Sequence, residues 1–142
     1  MSLIFIDCEA PYGAGSPSVA DMTHFGAVEY KSRATFHGRD CFRETFEDFR
    51  EWLKKFPPPW VAVSDNPAYD WQWLNYYFWK YQGSNPMGHS ARRIGDFYAG
   101  LCGDFWKSSR WKHLRITKHD HDPTHDALGN VEAFERIIRG ER

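Results

Sequence analysis

The residues able to do chemistry in this sequence are carboxylates and histidines, gathered at three places. Asp7 and Glu9 stand two apart at the end of Leu3-Ile4-Phe5-Ile6. That apolar run is too short for a helix and half β-branched, so it reads as a buried strand. Residues two apart on a strand point to the same face. Two carboxylates crowded on one face repel each other and lose hydration, which is costly unless a cation lies between them. The chemical reading is a divalent-metal site; the plain alternative is a strand ending in two solvated acids. Asp70 begins a helix directly after another strand, and Asp126 begins one after the polar run His119-Asp120-His121-Asp122-Pro123-Thr124-His125.

The elements that must position these residues follow from periodicity and punctuation. Thr23–Tyr30 and Ala34–His37 read as a second and third strand around the turn Lys31-Ser32-Arg33, making an antiparallel meander with the first. Glu44–Phe56 reads as a helix, with Phe46, Phe49, Leu53 and Phe56 at helical spacing and Pro57-Pro58-Pro59 to stop it. Trp60–Ser64 is a fourth, buried strand. A helix then runs from Pro67 to about Gln82, ended by Gly83, with Trp71, Leu74, Phe78 and Tyr81 as its core stripe. Arg92–Leu101 reads as a helix with Ile94, Phe97, Tyr98 and Leu101 on one side. The last helix spans roughly Thr124–Arg139, with Ala127, Val131, Phe134 and Ile138 inward and Gly129 allowing close packing on the sheet. Asp65 is expected as a helix cap, Asp120 and Asp122 as solvated acids, and His119 and His125 as surface or capping histidines.

The totals bound the function. The chain of 142 residues is one domain's worth, with a net charge of −1 that excludes gross polyanion-binding character. Aromatic content is high, and most of the seven tryptophans must be core. Cys8, Cys41 and Cys102 form no Cys-x-x-Cys, so neither a disulfide framework nor a zinc-thiolate site is expected, and a reducing cytoplasm fits best. No stretch is long and apolar enough for a membrane span, and no signal segment precedes the first strand. The run from Phe105 to His119 is free of acids. It interleaves Lys107, Arg110, Lys112, Arg115 and Lys118 with Phe105, Trp106 and Trp111, a pattern suited equally to a nucleic-acid strand or an ordinary solvated face.

If the strands lie side by side, Asp7, Glu9, Asp70 and Asp126 converge at one sheet edge. Four carboxylates together require metal, and two divalent ions about 3.5–4 Å apart are the standard apparatus for phosphodiester hydrolysis. Oxygen ligands favour Mg²⁺ or Mn²⁺. A histidine outside the cage, His121, is placed to take the proton of the attacking water.

The chain resembles the DEDD-type 3′→5′ exonucleases of the histidine subclass (DEDDh). The resemblance rests on Phe5-Ile6-Asp7-Cys8-Glu9, Asn66-Pro67-Ala68-Tyr69-Asp70 and His121-Asp122-Pro123-Thr124-His125-Asp126-Ala127, in order along one domain of residues 1–142. The ending His121–Asn130 is most similar to the mycobacterial-type 3′→5′ exoribonucleases. The resemblance implies an α/β, ribonuclease H-like mixed sheet flanked by helices. It implies Asp7, Glu9, Asp70 and Asp126 as ligands of two Mg²⁺ or Mn²⁺ ions, with His121 as general base. Its implied substrates are 3′ ends of single-stranded RNA, with DNA and 3′ overhangs as alternatives, and it leaves a homodimer open. Ala10, Tyr12 and Asn66 would meet the terminal nucleotide, while Lys107, Arg110, Lys112 and Arg115 would include the backbone contacts. One departure is Ala10-Pro11-Tyr12-Gly13, where many members have a Thr/Ser-rich turn; backbone groups could serve instead. Alternatives are a ribonuclease H-like endonuclease, an inactive nucleic-acid-binding module, and a His/Asp-rich structural metal site at residues 119–126.

Overall fold

A computed structural model describes residues 1–142. Its centre is β1 (Ser2–Glu9), paired antiparallel with β2 (His24–Glu29), which pairs antiparallel with β3 (Thr35–Gly38). On its other side β1 runs parallel to β4 (Trp60–Ser64), which runs parallel to β5 (Ala91–Arg93). The mixed order is β3-β2-β1-β4-β5. Two parallel connections need crossovers, and helices supply them. These are α1 (Arg43–Leu53) between β3 and β4, and α2 (Pro67–Gln82) between β4 and β5. After β5 come α3 (Ile94–Cys102), two short 3₁₀ turns at Phe105–Lys107 and Arg110–Leu114, and α4 (Pro123–Ile138).

The alternation of β1 divides the interior. Ile4, Ile6 and Cys8 face α1 and α2 in one core with Phe25, Phe46, Phe49, Leu53, Trp73, Leu74, Tyr77 and Phe78. Phe5 faces the other way, with Val28 and Val63, onto Ile94, Tyr98, Trp111, Leu114, Ala127 and Val131. Asp7 and Glu9 continue the Phe5 face to the carboxyl end of β1, where α4 begins.

Several boundaries differ from the sequence-based expectation. Helix α1 stops at Leu53, short of Phe56; Lys55 and Phe56 bond back to Trp52 and Leu53 in tighter turns, because a residue before proline is disfavoured in a helix. The buried stripe of α2 is Trp73, Leu74, Tyr77 and Phe78, while Trp71 and Tyr81 are only partly covered. Aromatics lie all round this helix, so its pattern does not fix its rotation. Strand β5 was not expected, since three residues with two arginines carry no period. In α3, Phe97 and Leu101 are exposed and only Ile94 and Tyr98 of the expected side are buried. In α4, Ile137 is buried in place of Ile138. Gly129 packs closely, but on Thr117 and Arg115 rather than on the sheet. The close approach to the sheet is at Gly26, where an added Cβ would lie 2.3 Å from the carbonyl carbon of Pro123.

Candidate active site

Each acid is held by a local rule. Asp7 lies opposite Gly26 and Glu9 opposite His24 in the β1–β2 ladder. The parallel ladder with β4 ends at the pair Phe5 and Val63, so beyond it the amides of β1 on that side lack a strand partner. Asp70 fills this gap, its Oδ1 accepting from the Cys8 amide at 3.0 Å. It reaches there because Pro67 opens α2 as a first-turn residue and puts Asp70 one turn in. Asp126 sits in the first turn of α4, behind Pro123 and the N-cap Asp122, whose side chain accepts from the Thr124 and His125 amides. Both carboxylates thus lie near helix N-termini, where negative charge is favoured. The absence of a side chain at Gly26 lets the start of α4 drop onto the sheet beside Asp7.

The geometry is a carboxylate cage. Ligand oxygens of Asp7, Glu9 and Asp126 all lie within 4.8 Å of one another. Asp7, Glu9 and Asp70 line a cleft of about 210 Å³ with Cys8, Asp65, Asn66, Tyr69, His119 and His121. Burial, then the charges of Asp70, Asp126 and Glu9, push the Asp7 carboxyl up to about 9, against a weaker pull from Arg115. Burial lifts Asp70 to about 7, opposed by the hydrogen bond from the Cys8 amide. The buried Oδ2 of Asp126 has no hydrogen-bond partner. Crowded acids that resist ionisation, and a buried carboxylate oxygen without a donor, are the features a divalent cation relieves. The donor set is all oxygen and fits a hard ion.

His121 stands at the rim, three-quarters exposed, with Nδ1 at 3.6 Å from Glu9 Oε1. Its φ of +63° is left-handed, a conformation that costs a non-glycine residue about 1 kcal/mol or more and persists only where surroundings impose it. His119, expected on the surface or at a cap, instead enters the site, its Nδ1 2.6 Å from Asp126 Oδ2. Only its position two residues before His121 could have signalled that. His125 pairs with Asp120 at 2.9 Å, and Asp122 caps α4 rather than being merely solvated. Asp65 does not cap α2 but pairs with Lys112 at 2.6 Å and Arg115 at 3.5 Å.

The expected substrate contacts are scattered. Asn66 and Tyr69 line the cleft. Tyr12 is fully exposed, and Ala10 packs against the α1–α2 core. Lys112 and Arg115 border the cleft through Asp65, but Arg115 is committed to Asn130 at 2.6 Å and to the face of Trp111 at 4.9 Å. Lys107 and Arg110 line a separate hollow with Arg142, beyond the far end of α4. Asp126 lies in the first turn of that helix, so about 18 Å of helix separates it from this end. Trp111 is wholly buried and offers no stacking face, whereas Trp106 is exposed. The Trp111 ring fills the core under Arg115, as the apolar neighbours of a basic run can.

No family model matches this chain. A curated relative is a 3′-5′ DNA exonuclease, Cap18, of Escherichia coli, 35% identical over 97 residues that make up 63% of this chain and 52% of the relative. The chain thus spans about half the length of that protein. Among solved structures, the nuclease domain of 3′hExo, a DEDDh family member bound to rAMP, aligns with a TM-score of 0.76 at 13% identity, over 98% of this chain and 92% of that one. The zinc-bound form of the E. coli ExoI–ssDNA complex aligns at 0.60 and 15% identity, over 97% of this chain and 39% of that one. The five-stranded mixed sheet with its flanking helices is therefore the ribonuclease H-like fold of the DEDDh exonucleases.

Proposed function

We propose that the protein is a metal-dependent 3′→5′ exonuclease acting on single-stranded nucleic acid or 3′ overhangs. The observation that carries this reading is the cage of half-buried Asp7 and Glu9 with buried Asp70 and Asp126, beside an exposed histidine. Asp7, Glu9, Asp70 and Asp126 would hold two divalent ions, Mg²⁺ or Mn²⁺. Bound there, the ions would supply an activated water and charge neutralisation at the leaving oxygen. The chain's own residues do the rest. His121, exposed at the rim beside Glu9, would accept the proton from the nucleophile. Asn66 and Tyr69 line the wall where the terminal nucleotide would rest. Lys112 and Arg115 offset the acids' repulsion of phosphate.

The curated relative acts on DNA, which makes DNA the first substrate to test ahead of the RNA expected from the sequence resemblance. Placement near the mycobacterial-type group rests on the short length and on residues 121–130. The free cysteines fit a reducing compartment. End-labelled DNA and RNA oligonucleotides with Mg²⁺ or Mn²⁺, resolved on a gel, test the reading. A ladder shortening from the 3′ end is expected, absent in EDTA and in Asp7→Asn. Internal cuts would instead favour an endonuclease, and full activity in EDTA would remove the metal.

A further inference from the structure

We propose that His119, His121 and Asp126 form a second metal site, selective for zinc-class ions, whose occupation excludes the magnesium-loaded state. Ligand atoms of these three residues all lie within 4.8 Å of one another. The set is two imidazole nitrogens and one carboxylate oxygen. Imidazole suits Zn²⁺, Co²⁺ and Ni²⁺ and is a poor ligand for Mg²⁺, which prefers oxygen and keeps its waters. The neighbouring group of Asp7, Glu9 and Asp126 is the reverse, oxygen alone.

A second observation points to a ligand at the same place. Asp126 is 1% exposed, and its Oδ2 has no hydrogen-bond partner although His119 Nδ1 lies 2.6 Å away. A buried carboxylate oxygen with no hydrogen bond, close to two imidazoles whose rings are 4.3 Å apart, offers a ligand atom beside two more. Both histidines are exposed on their outer side, so an ion can enter from solvent and keep water on its open positions.

Asp126 belongs to both sets, so an ion held by the histidines draws on the same carboxylate as the oxygen cage. An ion on the histidine side also takes the lone pair of His121. Zinc-class ions should therefore bind in the presence of excess Mg²⁺ and arrest turnover. The inhibitory consequence rests on the role proposed above for His121; the site itself does not.

The test is a titration of the full chain with Co²⁺, read by its visible absorption, and with Zn²⁺ by calorimetry in excess Mg²⁺. One ion per chain is expected, with the intense absorption of a low-coordinate, nitrogen-ligated Co²⁺. His119→Ala and His121→Ala should each weaken zinc by about ten-fold or more, since even groups supporting a ligand are worth that much. His119→Ala should also blunt the ratio of activity without and with zinc. Unchanged zinc affinity in both variants, or a weak octahedral Co²⁺ spectrum, would overturn the site and leave the His119–Asp126 approach as a loop-holding contact. Histidine-dependent zinc binding in a chain that cuts no oligonucleotide would keep the site and remove only the exonuclease reading.

Discussion

The two faces of the sheet are built on different principles. The face toward α1 and α2 is an aromatic lattice. Phe25 lies 5.3 Å from Phe46 and 5.1 Å from Phe49, and Phe46 stacks on Tyr77 at 5.4 Å. Such pairs add about 0.5–1.5 kcal/mol each beyond their burial. The face toward α3 and α4 has fewer large side chains and more close backbone approaches, with an added Cβ at Gly26 or Gly95 meeting main-chain atoms at 2.3 and 2.2 Å. It also buries Asn130 and Asp126, and it carries Arg115 in a polar bridge. One face supplies stability in bulk and contributes Asp70. The other sets the start of α4 directly on the sheet at Gly26 and so places Asp126 beside Asp7.

Four measurements would break or sharpen that contrast. Removing the proposed base should have the largest effect: His121→Ala is expected to slow turnover roughly 10²–10⁴-fold while the melting temperature holds, since the side chain is exposed. Next, Phe49→Ala on the aromatic face should cost about 3–5 kcal/mol in denaturant unfolding, with the rate per folded molecule unchanged. Gly26→Ala on the other face should do the opposite. Overpacking costs about 1–3 kcal/mol, but lifting the start of α4 by about 1 Å should slow turnover about 10²-fold, measurable as kcat on a saturating oligonucleotide. Equal losses in stability and rate for Phe49→Ala and Gly26→Ala would dissolve the distinction.

The smallest effect concerns pH. Asp7 and Asp70 are raised from 3.8 to about 9 and about 7. A carboxyl raised by folding keeps its proton where the unfolded chain has lost it. Its stabilising share is therefore complete below about 3.8 and lost as pH climbs through the folded value. Metal-free protein should melt progressively lower from pH 5 to 9, and Mg²⁺ should raise the midpoint more at pH 9 than at pH 5. Asp7→Asn should flatten the slope; a metal-free melting curve indifferent to pH would argue against the crowded cage.

Much of this architecture could be read from residues alone. The period of Phe46 and Phe49, the apolar run around Phe5 and the punctuation at Pro57, Pro67 and Gly83 are local signals that tertiary structure had no reason to override. The convergence of Asp7, Asp70 and Asp126 was legible because acids after strands and in first helical turns have few places to go. What escaped depended on partners distant in sequence. Asp65 looked like a cap until Lys112 and Arg115 arrived beside it. His119 looked solvated because nothing nearby in sequence says that Asp126 will face it. The basic run from Phe105 to His119 looked continuous, yet it folds in two directions, sending Lys107 and Arg110 to one end of α4 and Arg115 toward the other.

The division of the cage among separate layers also bears on how the chain acquires it. Asp7 and Glu9 come from the central strand, Asp70 from a helix on one face and Asp126 from a helix on the other, with nearly the whole sequence between the first and the last. Contacts of such long sequence separation carry a larger loop-closure cost than contacts within a helix. A partly folded chain therefore has neither a complete ligand set nor a place to gather ions. The cage thus depends on the whole fold: no fragment lacking the central strand or either helical layer holds all four acids.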